Sequence, residues 1–123
     1  MTDAQTGSLE AALARTELML EARPDLAELQ AREILNAVPG HPAALLLMAR
    51  AQRYQGQASA ALAALEPLAR SQPKWALAHL ELGLARVEAG DSRGGERALS
   101  QAVTLKPDLS AAWGVLAQQR RML

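Results

Sequence analysis

The sequence predicts an all-α chain of about seven helices, paired antiparallel and stacked as a solenoid. Three observations predict it. Half of the 123 residues are hydrophobic, mostly Ala and Leu, while aromatics make up only 2%. Such a composition suits close-packed helices and disfavours strands, which prefer aromatic and β-branched residues. Apolar residues recur every three or four positions between Pro and Gly punctuation, as on one face of a helix. Finally, Pro39, Pro73 and Pro107 stand 34 residues apart, and Gly56 and Gly90 keep the same interval. A fixed period of this length marks a stacked-repeat protein.

Each element can be justified in turn. Residues 1–7 are small and polar and are expected to be flexible. Ser8 is placed to cap a first helix over 9–22, with Leu9, Leu13 and Leu20 at helical spacing. Asp25 followed by Glu28 has the spacing of a capping box and opens a second helix to about 38. Pro39, Gly40 and Pro42 stop the chain and restart it. Pro42 suits the first turn of a third helix, where its missing N–H would be unpaired anyway. That helix is expected to end near Gln55, with Gly56 as its left-handed terminator. A fourth helix runs to about 70 and contains Pro67, which predicts a kink or a tightened last turn. The fifth spans about 75–89 and turns at Gly90-Asp91. The sixth reaches about 105, and a seventh starts near 110.

The repeat reads Leu45-x-x-Met48-Ala49, Ala61-x-x-x-Leu65, Pro73; then His79-x-x-Leu82-Gly83, Gly95-x-x-x-Leu99, Pro107; then Trp113-x-x-Leu116-Ala117. Small residues let two helices approach, and the large ones fill the gap between them. This pattern resembles the tetratricopeptide repeat (TPR) family. The resemblance implies a right-handed superhelix of helix pairs. It divides 8–123 into a divergent repeat (8–41), two full repeats (42–75 and 76–109) and a half repeat or capping helix (110–123). Residues 8–41 depart most: Arg15 and Ala22 stand where small residues and Gly recur later. The aromatic expected late in each first helix is replaced by Gln52, Arg86 and Arg120.

In that family the first helix of each pair lines a concave face. The resemblance places Leu46, Leu47, Arg50, Arg53, Tyr54, Leu77, Leu80, Glu81, Leu84 and Glu88 there. A surface this apolar implies a covered one: a bound peptide or protein, or a second copy of the chain. The expected function is therefore a non-catalytic protein-protein interaction module, a scaffold whose groove would lose its partner on Arg50→Glu with Leu80→Asp. Some members grip the C-terminal carboxylate of chaperones with Lys, Arg and Asn. The matching places here hold Ala12, Thr16, Leu47, Leu77 and Glu81, which argues against a chaperone tail as partner. The stretches LEPLARSQPKWALAHLELG and AVTLKPDLSAAW also resemble the N-terminal TPR regions of bacterial sulfotransferase-like proteins. On that alternative the chain is an accessory domain of a larger enzyme. A self-associating structural module is the third reading.

Chemistry finds little support. Lys plus Arg equals Asp plus Glu at 13 each, so the basic excess of a nucleic-acid binder is missing. No cysteine is present, which excludes disulfides and Cys-based metal sites and is compatible with the cytoplasm, the expected location. No apolar run approaches the ~20 residues of a membrane span. His41 and His79 have no clustered carboxylates beside them, so no metal or other cofactor is expected. His41 is read as a helix cap and His79 as packing filler. The Gly-rich turn from Gly90 to Gly95 lacks the Gly-Lys-Ser/Thr ending of a phosphate loop.

Overall fold

The computed structural model describes residues 3–122, with side chains from 8 to 121. Among these residues are seven α-helices and no strand: α1 (Asp3–Met19), α2 (Pro24–Ala37), α3 (Pro42–Tyr54), α4 (Ala58–Ser71), α5 (Ala76–Glu88), α6 (Ser92–Leu105) and α7 (Ser110–Met122). Two compact units divide the chain between Gln57 and Ala58. The first holds α1 to α3 and the second α4 to α7.

Helices α2 to α7 lie where the Pro, Gly and Asp punctuation puts them. The start of the chain differs. Residues 1 and 2 of the stretch expected to be flexible lie outside the described residues, and from Asp3 the backbone is already in α1. Ser8 is therefore inside a helix and does not cap one. Nor does the capping box form. Pro24 takes the first helical position of α2, with Arg23 as the preceding cap residue, so Asp25 lies two places past the cap. Its carboxylate pairs with Arg23 at 3.0 Å instead. That hydrogen bond holds the Asp25 carboxyl below its ordinary range. Glu28 turns away toward α3.

The remaining boundaries have the expected chemistry. His41 Nδ1 accepts the Ala44 N–H at 3.3 Å and caps α3, ahead of Pro42. Gly56 and Gly90 both adopt a positive φ, +78° and +94°, which an L side chain resists. Asp91 caps α6 by accepting the Gly94 N–H at 2.9 Å. α4 continues through Pro67 as one helix.

Each unit has its own core. In the first, Leu20, Ala27, Ala31, Leu47 and Ala51 are buried together, with Leu13, Met19 and Met48 against them. In the second, Leu80, Leu99, Ala102, Val103, Ala112 and Leu116 form the centre, flanked by Leu84, Val87, Leu109 and Val115. Within the second unit α5 and α6 approach closely because Gly83 faces Leu99 and Gly95 faces Val87. A methyl group on Gly83 would stand 2.6 Å from Leu99 Cγ.

The polar residues in place of the late aromatics are engaged. Gln52 Nε2 donates to Glu28 on α2 at 3.3 Å, and Arg120 Nε donates to Glu96 on α6 at 3.4 Å. Both pairs span 24 residues, and the two pairs lie two repeats apart. A side chain on one helix is thereby tied to the helix before it. Arg86 instead donates to the Gly94 carbonyl at 3.3 Å. Gln55 adds to the first of these ties, giving its Nε2 hydrogens to Glu28 at 2.9 Å and to the Pro24 carbonyl at 3.3 Å. A second repeated device joins helices to the preceding turn. His79 Nε2 lies 2.9 Å from the Pro73 carbonyl, and the Trp113 indole N–H reaches the Pro107 carbonyl at 2.7 Å. His79 is thus a turn latch as well as a packed side chain.

Candidate functional site

The residues expected to line the groove fall into both units, and the structure sorts them by exposure. In the first unit the outward set is Arg50, Arg53 and Tyr54. They stand on the last two turns of α3, on the side turned away from Ala51 and the first core. Tyr54 is 37% exposed. The Arg53 guanidinium lies over the Tyr54 ring, 4.9 Å from its centre, which suits the negative face of an aromatic ring. Arg50 is half-buried and pairs with Glu17 of α1 at 3.7 Å. The result is a mixed cationic and aromatic surface, and Tyr and Arg are the side chains that dominate protein-binding hot spots.

In the second unit the outward set is Leu77, Leu84 and Glu88, one stripe of α5. Leu77 is 40% exposed, Leu84 is half-buried and Glu88 is exposed. An isolated exposed leucine is ordinary.

The other four expected groove residues are corrected. Leu46 and Leu47 keep only 6% of their surface, Leu80 7% and Glu81 6%. Leu47 belongs to the first core and Leu80 to the second. The reason is geometric. Residues at i, i+3 and i+4 cover a broad arc of a helix, and here its inner edge takes in one more column than the concave assignment allowed. The surface that remains is less greasy than expected and more polar. Leu80→Asp would put a charge in the core, so the double variant with Arg50→Glu would report on folding as well as binding.

Among the described residues, two hollows lie away from the expected groove residues. One, of about 530 Å³, opens between α1 and α2, lined by Leu9, Ala12, Arg15, Glu33, Ile34 and Val38 among others. A signal for it does exist. Ala12 stands 34 and 68 residues before Leu46 and Leu80, both buried leucines, and Arg15 occupies the place of Ala49 and Gly83. Lost side-chain volume and a bulky polar residue at the close-approach position leave the pair open. The other hollow, about 260 Å³, lies in the second unit, with Arg70, Arg86, Arg97 and His79 around it and Glu66 as the acidic member. Nothing in the repeat pattern marks it.

Among the described residues no three His, Cys, Asp or Glu side chains cluster as a metal site would require. No described helix is long and apolar enough to cross a membrane.

No protein-family model matches the sequence. No curated protein matches it either. Solved structures do match. The chain is similar to the TPR domain of Sgt2 from Aspergillus fumigatus, with a TM-score of 0.85 and 21% identity over 94% of this chain and 78% of that one. It is similar to part of an O-GlcNAc transferase mutant from Thermobaculum terrenum, at a TM-score of 0.87 and 25% identity, covering 97% of this chain but 23% of that one. It also resembles PcrH in complex with the chaperone binding region of PopB, at a TM-score of 0.76 and 17% identity over 100% of this chain and 98% of that one. The fold is therefore the tetratricopeptide-repeat fold, all-α and built of helical hairpins.

Proposed function

We propose that the chain is a non-catalytic protein-interaction module whose first unit grips a peptide or protein through the end of α3. The observation that carries this reading is the Arg53–Tyr54 pair, a cation stacked on a ring that stays 37% open to solvent. Arg50 extends the same surface and Leu77, Leu84 and Glu88 present a second, separate strip on α5. The buried leucines and Glu81 shape these helices from inside and make no contact with the partner. PcrH, with the same fold, holds a segment of another protein, which supports a protein partner here. A fold alone does not assign function, so the residues must carry the test. The double variant Arg53→Glu with Tyr54→Ala changes two outward side chains and should leave helicity intact. Photo-crosslinking from position 54 in the native cell identifies the partner. The double variant then lowers that partner's affinity by about 2 kcal/mol or more, the range of a hot-spot loss. Undiminished affinity would remove α3 from the site.

A second reading has one observation in its favour: the chain matches less than a quarter of a transferase's length with a high TM-score. On this reading the repeats are the accessory region of a larger enzyme, sulfotransferase-like by the resemblance of residues 65–83 and 102–113. Reading the gene past the codon for Leu123 separates the two. Self-association, the third reading, requires a mass that rises with concentration in sedimentation.

A further inference from the structure

Three helices of the second unit each bring an arginine to one hollow. Arg70 comes from α4, Arg86 from α5 and Arg97 from α6, around a space of about 260 Å³. Glu66 of α4 is the one acid in the lining. Three guanidinium groups against one carboxylate leave two positive charges here, in a chain whose formal net charge is zero. The repeat does not ask for them. In its register Arg70 matches Asn36 and Thr104, and Arg97 matches Ala63. Like charges drawn together repel, so the cluster works against the folded state. Partners inside the unit do not offset that. Arg86 donates to the Gly94 carbonyl at 3.3 Å, a neutral acceptor. Among the described residues, Arg70 and Arg97 have no ion pair or hydrogen bond, and both are exposed. Ala69, Leu82 and Ala98 line the same hollow and are buried, which gives it an apolar floor. Over such a floor a charge-assisted hydrogen bond competes with less water than on an open helix face.

We propose that this hollow binds a phosphate dianion, free or as a monoester. Charge selects it, because a phosphate monoester carries about two negative charges at neutral pH and the lining has two positive charges in excess. The donors agree. Guanidinium groups arriving from three helices can present paired N–H groups to three different oxygens, whereas a carboxylate has only two. The His79 ring, its Nε2 fixed 2.9 Å from the Pro73 carbonyl, stands in the same wall and reports on the site. Glu66 opposes the anion and sets the affinity low. The site shares no residue with the α3 end or the α5 strip, so it and the protein-binding reading can fail separately.

The full chain, in phosphate-free buffer at fixed ionic strength, is titrated with inorganic phosphate and separately with a short phosphoserine peptide, and followed by NMR. The Nε–H signals of Arg70, Arg86 and Arg97 and the His79 ring should shift together and saturate. Arg70→Gln with Arg97→Gln should weaken binding at least about tenfold, the loss expected for charged hydrogen bonds. Both residues are exposed, so circular dichroism should show that variant folded. Glu66→Gln should tighten binding, an effect that mere damage to the fold would not produce. Arg93→Gln removes an exposed arginine of α6 outside the hollow and should change nothing. Tighter binding of the peptide than of the free ion identifies a phosphorylated side chain as the source, and the reverse order identifies the ion itself. Shifts that never saturate, or that acetate reproduces at equal concentration, overturn the proposal. So does an Arg93→Gln loss as large as that of the double variant, because the attraction is then diffuse.

Discussion

At the scale of single residues, the second unit depends on two glycines that are not interchangeable. Gly83 faces mainly the buried side chain of Leu99, with one backbone neighbour, the Gly95 carbonyl oxygen, 3.1 Å from where a methyl would stand. Gly95 has two backbone neighbours: a methyl there would meet Val87 and lie 3.0 Å from the Gly83 carbonyl oxygen and 3.3 Å from the Val87 nitrogen. Backbone cannot move without moving a whole helix. Overpacking a core costs about 1–3 kcal/mol, while Gly→Ala returns about 1 kcal/mol of helix propensity. Gly83→Ala should therefore destabilise by at most about 1 kcal/mol and Gly95→Ala by about 2 kcal/mol. Urea midpoints measure both, and equal losses would mean that α6 shifts bodily to accept either methyl. The sequence pointed to both positions, since the 34-residue period puts small residues there, but it could not rank them. Ranking needs the identity of the facing atom, which lies on another helix.

Elements make two further demands. Pro67 sits inside α4 and is exposed, so the helix forgoes one backbone hydrogen bond without any packing in return. Pro67→Ala should restore that bond and raise the melting midpoint by the equivalent of about 1–2 kcal/mol, the helix gain being offset by a more flexible unfolded chain. A lower midpoint would show that Pro67 stabilises chiefly through the unfolded state. The joint between α2 and α3 is polar and pH-sensitive. Burial pushes the Glu28 carboxyl up, but hydrogen bonds from Arg32, Gln55 and Gln52, with the Arg32 charge, outweigh it and hold it below the ordinary glutamate value. A carboxyl depressed in the folded state adds stability above its unfolded pKa and loses it as pH falls through the folded one. Stability should therefore decline below about pH 4.5, and Glu28→Gln should flatten that decline in acid titrations while lowering stability at neutral pH. Helix termini were legible because Pro, Gly and Asp act locally. The Glu28 joint was not: Asp25 and Glu28 satisfy a local capping pattern, and only Pro24 entering the first turn and Gln52 and Gln55 arriving from α3 redirect them. Facing on α3 and α5 failed for a similar reason. Leu46, Leu47 and Leu80 have helical spacing on either side of the boundary between core and groove, and a shift of one column decides burial.

On the scale of the whole molecule, each unit carries its own stability, and the two cores are unequal. The first sets Leu20, Ile34, Leu46 and Leu47 among alanines, and the hollow beside Ala12 adds unfilled space. The second places Leu80, Leu99, Leu116 and Val103 together. Every buried methylene is worth about 0.8 kcal/mol, so the second unit has the deeper well. In repeat proteins stability is close to a sum of unit and neighbour contributions, so weak units open without the rest. Native-state hydrogen exchange should show this directly, with amides of α1 and α2 opening at lower free energy than those of α5 and α6. Ala12→Leu supplies the side chain that Leu46 and Leu80 supply at the same register. It should slow exchange in α1 and α2 by about tenfold, equivalent to about 1.4 kcal/mol, and leave the α5–α6 amides unchanged. If every amide instead exchanges at one common free energy, the chain opens as a single cooperative body, and the alanines of the first unit cost it nothing of its own.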